Sequence, residues 1–94
     1  VMSNEPGLYR PNAYGIRIEN LIVCVEDETN DFGSFLRFDT LTLCPIDIKA
    51  IDLDMLTVQE REWLNHYHQL VYFKLSPHLA AEHEKWLKEI TKPL

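Results

Sequence analysis

The sequence predicts an α+β fold in which antiparallel strands come first and two helices follow. Three observations carry this expectation. Residues 1–15 hold Pro6, Gly7, Pro11 and Gly15, a density of breakers that excludes a helix. Two runs rich in β-branched and aromatic residues follow, at Ile16–Val25 and Phe35–Cys44. Thr57-Val58-Gln59-Glu60 then reads as a capping box, and the residues after it recur at helical spacing.

Taken in order, residues 1–15 are expected to form a loop with short extended pieces. Ile16–Val25 is the first strand, and its second half is apolar on both alternating faces, as in a strand covered on both sides. Two strands offer too few neighbours for that, which points to a missing N-terminal part or a partner chain. Residues 26–34 are acidic and polar and predict a solvated connection between antiparallel strands. Their carboxylates do not follow the alternating oxygen ligands, central glycine and distant Glu of an EF-hand loop. A second strand over residues 35–44 is ended by Pro45.

Thr57 opens a helix whose apolar stripe is Trp63, Leu64, Tyr67, Leu70, Val71 and Leu75, and Pro77 stops or bends it. A shorter helix repeats the pattern with Leu79, His83, Trp86, Leu87 and Ile90 on one side before Pro93. The stripes around Trp63 and Trp86 are expected to be core or subunit interface.

The chain has 94 residues and a formal net charge of −6. An acidic chain lacks the basic face that neutralises phosphates, so no nucleic-acid partner is expected. The longest run without a formal charge, Trp63–Phe73, includes Asn65, His66, His68 and Gln69 and falls far short of the roughly 20 apolar residues of a membrane span. Two cysteines, Cys24 and Cys44, are too few for a disulfide framework, and they read as buried thiols in a reducing, cytoplasmic setting. The N-terminus has no basic segment followed by an apolar one, so no signal peptide is expected. Val1 is not a natural start residue, and the chain reads as the tail of a longer protein.

The constellation that stands out chemically is Glu5-Pro6-Gly7 with Arg17-Ile18-Glu19. Glu19 falls within a largely apolar strand, where an ionised carboxylate needs a partner charge or a metal. Arg17, two residues away, lies on the same strand face. Two readings fit these residues: a surface ion pair beside an ordinary loop carboxylate, or part of a carboxylate site. His66 and His68, an i,i+2 pair on a helix, point to different faces and read as surface histidines. His78 and His83 carry no motif.

Asn4-Glu5-Pro6-Gly7-Leu8-Tyr9 with Gly15-Ile16-Arg17-Ile18-Glu19-Asn20 resembles the end of the catalytic domain of Xaa-Pro aminopeptidases, also called aminopeptidase P, among the pita-bread metallopeptidases. The resemblance continues through Phe35-Leu36-Arg37-Phe38-Asp39-Thr40-Leu41-Thr42-Leu43-Cys44-Pro45-Ile46-Asp47, Ile51-Asp52, Leu56-Thr57, Trp63-Leu64-Asn65 and Trp86-Leu87, which look like the C-terminal extension of the three-domain members. The first pieces are shared with prolidases; the extension narrows the likeness to aminopeptidase P. It implies antiparallel strands from the end of a pita-bread catalytic domain over residues 1–30, then a C-terminal extension of one strand and two helices over residues 31–94.

The resemblance also implies chemistry. In that family two Asp, one His and two Glu hold two divalent ions, manganese in the usual case, a donor set suited to hard cations. By resemblance Glu5 would bind one ion and move the proton during hydrolysis, and Glu19 would bridge both. Tyr9 and Arg17 match positions that orient these carboxylates and balance their charge. The implied reaction is hydrolysis of the bond between an N-terminal residue and a following proline, the ions activating water and polarising the carbonyl. The implied partners are peptides with proline at the second position and a second copy of the chain in a homodimer. The two Asp and the His have no counterpart here, so the 94-residue chain alone is expected to be inactive and to bind no metal. A non-enzymatic pita-bread interaction or dimerisation module, or a prolidase, is the alternative.

Overall fold

The computed structural model describes every residue from Val1 to Leu94, in two compact units, Val1–Thr42 and Leu43–Leu94. The first unit is all β: β1 (Met2–Asn4), β2 (Gly7–Arg10), β3 (Tyr14–Arg17), β4 (Asn20–Asn30) and β5 (Gly33–Thr40). They form a three-stranded antiparallel sheet in the order β1-β4-β5 and a two-stranded antiparallel ribbon, β2-β3. The α+β class is as expected, but the strands are more numerous. Residues 1–15, expected to be mostly loop, contribute two strands and the start of a third.

One register runs through both pieces. Met2 faces Ile22, Asn4 faces Asn20, Gly7 faces Arg17 and Arg10 faces Tyr14, so the partner numbers add to 24 on either side of a short gap. The turn that sets this register is Arg10-Pro11-Asn12-Ala13, closed by Ala13 N–H donating to the Arg10 carbonyl at 3.1 Å. Pro11 and Asn12 occupy its centre, where proline's fixed φ is favoured and Asn tolerates the left-handed conformation, here φ 58°. The gap falls at Glu5-Pro6 and Ile18-Glu19. Ile18 N–H donates to the Pro6 carbonyl at 3.2 Å, but proline has no N–H to return the bond, so the ladder is interrupted. The single strand expected over Ile16–Val25 is therefore two strands in different sheets, with Glu19 in the gap between them.

The acidic stretch expected to be a loop is mostly strand. β4 continues to Asn30, and the connection shrinks to Asp31-Phe32, with Phe32 N–H donating to Asn30 Oδ1 at 2.8 Å and Gly33 at φ 130°. This end of the hairpin is exposed, so charged side chains cost a strand nothing here. Arg37 pairs with Asp27 at 3.1 Å and with Asp39 at 3.0 Å. β5 ends at Thr40 rather than at Pro45. β4 carries buried Asn20 and half-buried Ile22, Val23 and Val25, so both of its faces are partly covered in this chain. Cys24 and Cys44 are exposed free thiols, not buried ones.

The second unit begins with two one-turn 3₁₀ helices, Ile48–Ala50 and Leu53–Met55, capped by Asp47 and Asp52. α1 (Val58–Leu75) opens with the expected capping box: the Thr57 hydroxyl accepts from Glu60 N–H and the Glu60 carboxylate accepts from Thr57 N–H at 2.8 Å. That bond holds the Glu60 carboxyl below the usual carboxylate range. Pro77 lies in a 3₁₀ turn that ends α1, and α2 (Ala81–Ile90) follows.

The core is Leu64, Tyr67, Val71 and Leu87, with Leu43, Ile46, Ile51, Leu75 and Ile90 packed around it. Trp63 and Trp86 lie outside it, 49% and 59% exposed, and His83 is exposed as well. Successive helical residues are about 100° apart, so seating Leu87 turns Trp86 to solvent. Trp63 instead stacks on Tyr67, with centroids 5.4 Å apart.

His68 corrects the surface reading: it is fully buried. Its Nε2 accepts from Ile46 N–H at 3.0 Å, and the Tyr67 hydroxyl donates to the Cys44 carbonyl at 2.7 Å. Adjacent residues of α1 thus hold the segment that leads into this unit. Since Nε2 accepts, the ring proton is on Nδ1, which is buried without a protein partner.

Burial lowers the His68 pKa, so the folded chain keeps the ring neutral where the unfolded chain already takes up a proton. Its stabilisation is complete above the unfolded value of about 6.5 and declines as pH falls toward the folded one. His68→Gln keeps an acceptor for Ile46 without titrating. It is expected to flatten the pH dependence of the melting temperature between about pH 5 and 6.5, the range below the unfolded value before the carboxylates titrate. A slope equal to wild type would assign that dependence to other groups.

Candidate functional site

The gap in the first unit brings the predicted site residues together. Extended across the gap, the two registers, whose partner numbers both add to 24, put Glu5 opposite Glu19. With Ile18 N–H bonded to the Pro6 carbonyl, the adjacent position, Glu5 with Glu19, falls at a non-hydrogen-bonded place in that register, the class in which facing residues are closer. Like charges directly opposite each other repel and favour a cation between them.

Arg17 partly relieves the repulsion. Its guanidinium lies 3.0 Å from Glu19 Oε2, with both side chains substantially exposed. The expectation of a shared face for Arg17 and Glu19 is met. The expectation that Glu19 is buried is not: Glu5 and Glu19 are both exposed in this chain. Tyr9 joins them on the same face, because its ring lies against Gly7 and Gly15, the positions two residues before it and directly across from it. Glu5, Gly7, Tyr9, Gly15, Arg17 and Glu19 therefore form one alternating set around the turn at Asn12. The two glycines escaped the sequence reading, although Tyr9 and Gly15 stand at equal distances from Asn12.

Two hard carboxylate oxygen donors on opposed strands suit one side of a divalent cation such as Mn²⁺ or Mg²⁺. They do not complete a site. The chain contains no group of three or more His, Cys, Asp or Glu side chains placed to hold a metal. In the second unit a cleft of about 470 Å³ opens between α1, at Glu62, His66 and Gln69, and the end of α2 with the residues after it, at Lys88 and Lys92. Of the predicted candidates only His66 reaches it.

Comparison with known proteins identifies relatives along the whole chain. The family described as the C-terminal region of peptidase M24 matches residues 34–94. A probable Xaa-Pro aminopeptidase P of Coprinopsis cinerea is 45% identical over 98 residues, spanning 99% of this chain and 16% of that protein. Aminopeptidase P2 of Arabidopsis thaliana is 45% identical over 98 residues, 100% of this chain and 14% of that protein. Among solved structures, an X-prolyl aminopeptidase from Caenorhabditis elegans, described as a cytosolic enzyme with a di-nuclear active site, superposes with a TM-score of 0.85 and 39% identity. It matches 98% of this chain, which spans 16% of it.

The opposed carboxylates make a prediction about the metal-free chain. Glu5→Gln removes one of two facing negative charges and is expected to raise the melting temperature at low ionic strength, with the gain shrinking in about 1 M salt as screening sets in. A lowered melting temperature at low salt would show that Glu5 has a stabilising partner. With the carboxylate ribbon at its start and the matched region after it, the chain belongs to the peptidase M24 C-terminal region family and corresponds to the C-terminal segment of Xaa-Pro aminopeptidases.

Proposed function

We propose that this chain is the C-terminal part of a dinuclear-metal aminopeptidase that hydrolyses the bond between an N-terminal residue and a following proline. The observation that carries the reading is the shared register that puts Glu5 opposite Glu19, in a chain 45% identical to a probable Xaa-Pro aminopeptidase P. In this reading Glu5 would be a ligand of one ion and Glu19 of both, with manganese as the metal. Bound cations would supply Lewis acidity at the scissile carbonyl and a water acidified toward neutral pH.

The chain's own residues act around that centre. Arg17 holds Glu19 by its 3.0 Å ion pair and offsets the surplus of negative charge. Glu5 takes a proton from the attacking water and passes it to the leaving proline nitrogen. Tyr9 stands on the same face as a hydrogen-bond donor. Residues 1–30 belong to the catalytic domain and residues 31–94 to the extension, a division supported by the start of the family match at residue 34. The exposed apolar residues of the first unit, among them Leu8, Ile16, Phe35 and Phe38, are in this reading covered by the upstream part of the enzyme. A cytoplasmic homodimer acting on peptides with proline at the second position completes the proposal.

The test uses the longer protein that contains this segment, assayed with Mn²⁺ on an Xaa-Pro peptide. Glu19→Ala is expected to reduce cleavage to background, and the 94-residue chain alone to show none. Undiminished cleavage by the variant would remove the bridging role, and cleavage by the isolated chain would overturn the claim that the upstream ligands are needed.

A further inference from the structure

Gly7 and Gly15 carry no conformational demand of their own: Gly33 is the chain's only glycine with positive φ. What excludes a side chain at either position is Tyr9. A Cβ on Gly15 would lie 2.5 Å from Tyr9 Cδ1 and 2.9 Å from Cε1, and its next neighbour, the Leu8 carbonyl, is at an ordinary 3.6 Å. A Cβ on Gly7 would lie 2.8 Å from the Tyr9 hydroxyl oxygen and 2.9 Å from Cε2, with the Ile16 carbonyl at 3.0 Å. The ring therefore starts over Gly15, directly across the ribbon, and leans back along β2 until its hydroxyl stands over Gly7. The next rung on that face is Glu5 opposite Glu19.

An aromatic ring often covers a strand glycine across a sheet simply to shield it. Shielding alone does not account for this ring, which stays 62% exposed and ends on a second glycine on the carboxylate side. We propose that Gly7 and Gly15 are positioning residues: together they form a trough that seats the Tyr9 ring and aims its hydroxyl, as a hydrogen-bond donor, at the Glu5 and Glu19 carboxylates. The inference rests on the metal-site reading above and deepens it. Any side chain at residue 15 must displace the ring, and the hydroxyl moves with it.

Gly15→Ala is the cleaner probe, since only the ring crowds that position. Mn²⁺ affinity of the longer protein, measured by titration calorimetry, is expected to fall about 10- to 100-fold in Gly15→Ala and similarly in Tyr9→Phe, the range for loss of an outer-shell partner. Because both changes act through one hydroxyl, the double variant should lose no more than Tyr9→Phe alone. Losses that multiply in the double variant, or full affinity in Gly15→Ala, would overturn the proposal. The seat itself is read independently in the 94-residue chain by NMR: the Gly15 Hα proton that faces the Cδ1–Cε1 edge of the ring should be shifted downfield and return to an ordinary value in Tyr9→Leu. An unshifted proton in wild type would overturn the trough. Absence of Mn²⁺ binding by the wild-type longer protein, with the Gly15 shift present, would instead overturn the metal-site reading and the hydroxyl's role in it.

Discussion

The part of the first unit that carries the candidate site depends on one antiparallel register whose centre is Asn12. The side-chain period of a strand is two, so a slip of a single residue would move every odd-numbered residue of one strand off the face it shares with the other. Glu5 would then face Ile18 or Asn20, and the Tyr9 ring would meet a residue with a Cβ in place of Gly15. What prevents the slip is local chemistry: Pro11 and Asn12 fill the two central positions of a turn that few other residue pairs suit so well. The candidate site is assembled by a turn that contains none of its residues. Pro6 adds the complementary feature, removing one hydrogen bond at the level of the carboxylates while keeping the strands in register.

Features encoded by neighbouring residues were legible in the sequence, and those decided by distant ones were not. The capping box at Thr57 and Glu60 and the helix end near Pro77 depend on a few consecutive residues, and both stand where the spacing predicts. The run Ile16–Val25 has a strand-like composition throughout, so nothing in it marks the interruption, which is caused by Pro6 ten or more residues earlier. The acidic segment after Val25 reads as loop because charge is rare in strands that face a core. On an exposed hairpin that pressure is absent, and Arg37 pairs across the strands with Asp27 and along its own strand with Asp39. Of the site, the pieces with Glu5, Tyr9, Arg17 and Glu19 could be named from the sequence, whereas the contribution of Gly7 and Gly15 required seeing where one ring lies.

The second unit follows a different logic. Its connecting segment, Cys44-Pro45-Ile46, is irregular, so its amides need partners outside any ladder. Tyr67 and His68, adjacent on α1, supply them. A buried histidine was invisible to a helical-face argument because the irregular chain, rather than another helix, covers that side of α1. Tyr67 joins the two roles, with its ring in the core and under Trp63 and its hydroxyl on Cys44.

The exposure of Glu5 and Glu19 bears on what this segment does unaided. Two carboxylates in contact with water keep their hydration and feel each other through a high dielectric, so their mutual repulsion is tolerable and their attraction for a cation is modest. Two carboxylates offer at most four oxygens, whereas octahedral cations take six ligands, and two cations need more donors still. Tight binding requires further donors and removal of water from the pair. In the proposed site the ribbon would contribute geometry rather than affinity: it sets the facing of the two carboxylates, and Arg17 is paired with Glu19. Such an exposed pair can fold with its chain without carrying the cost of two buried, unpaired charges.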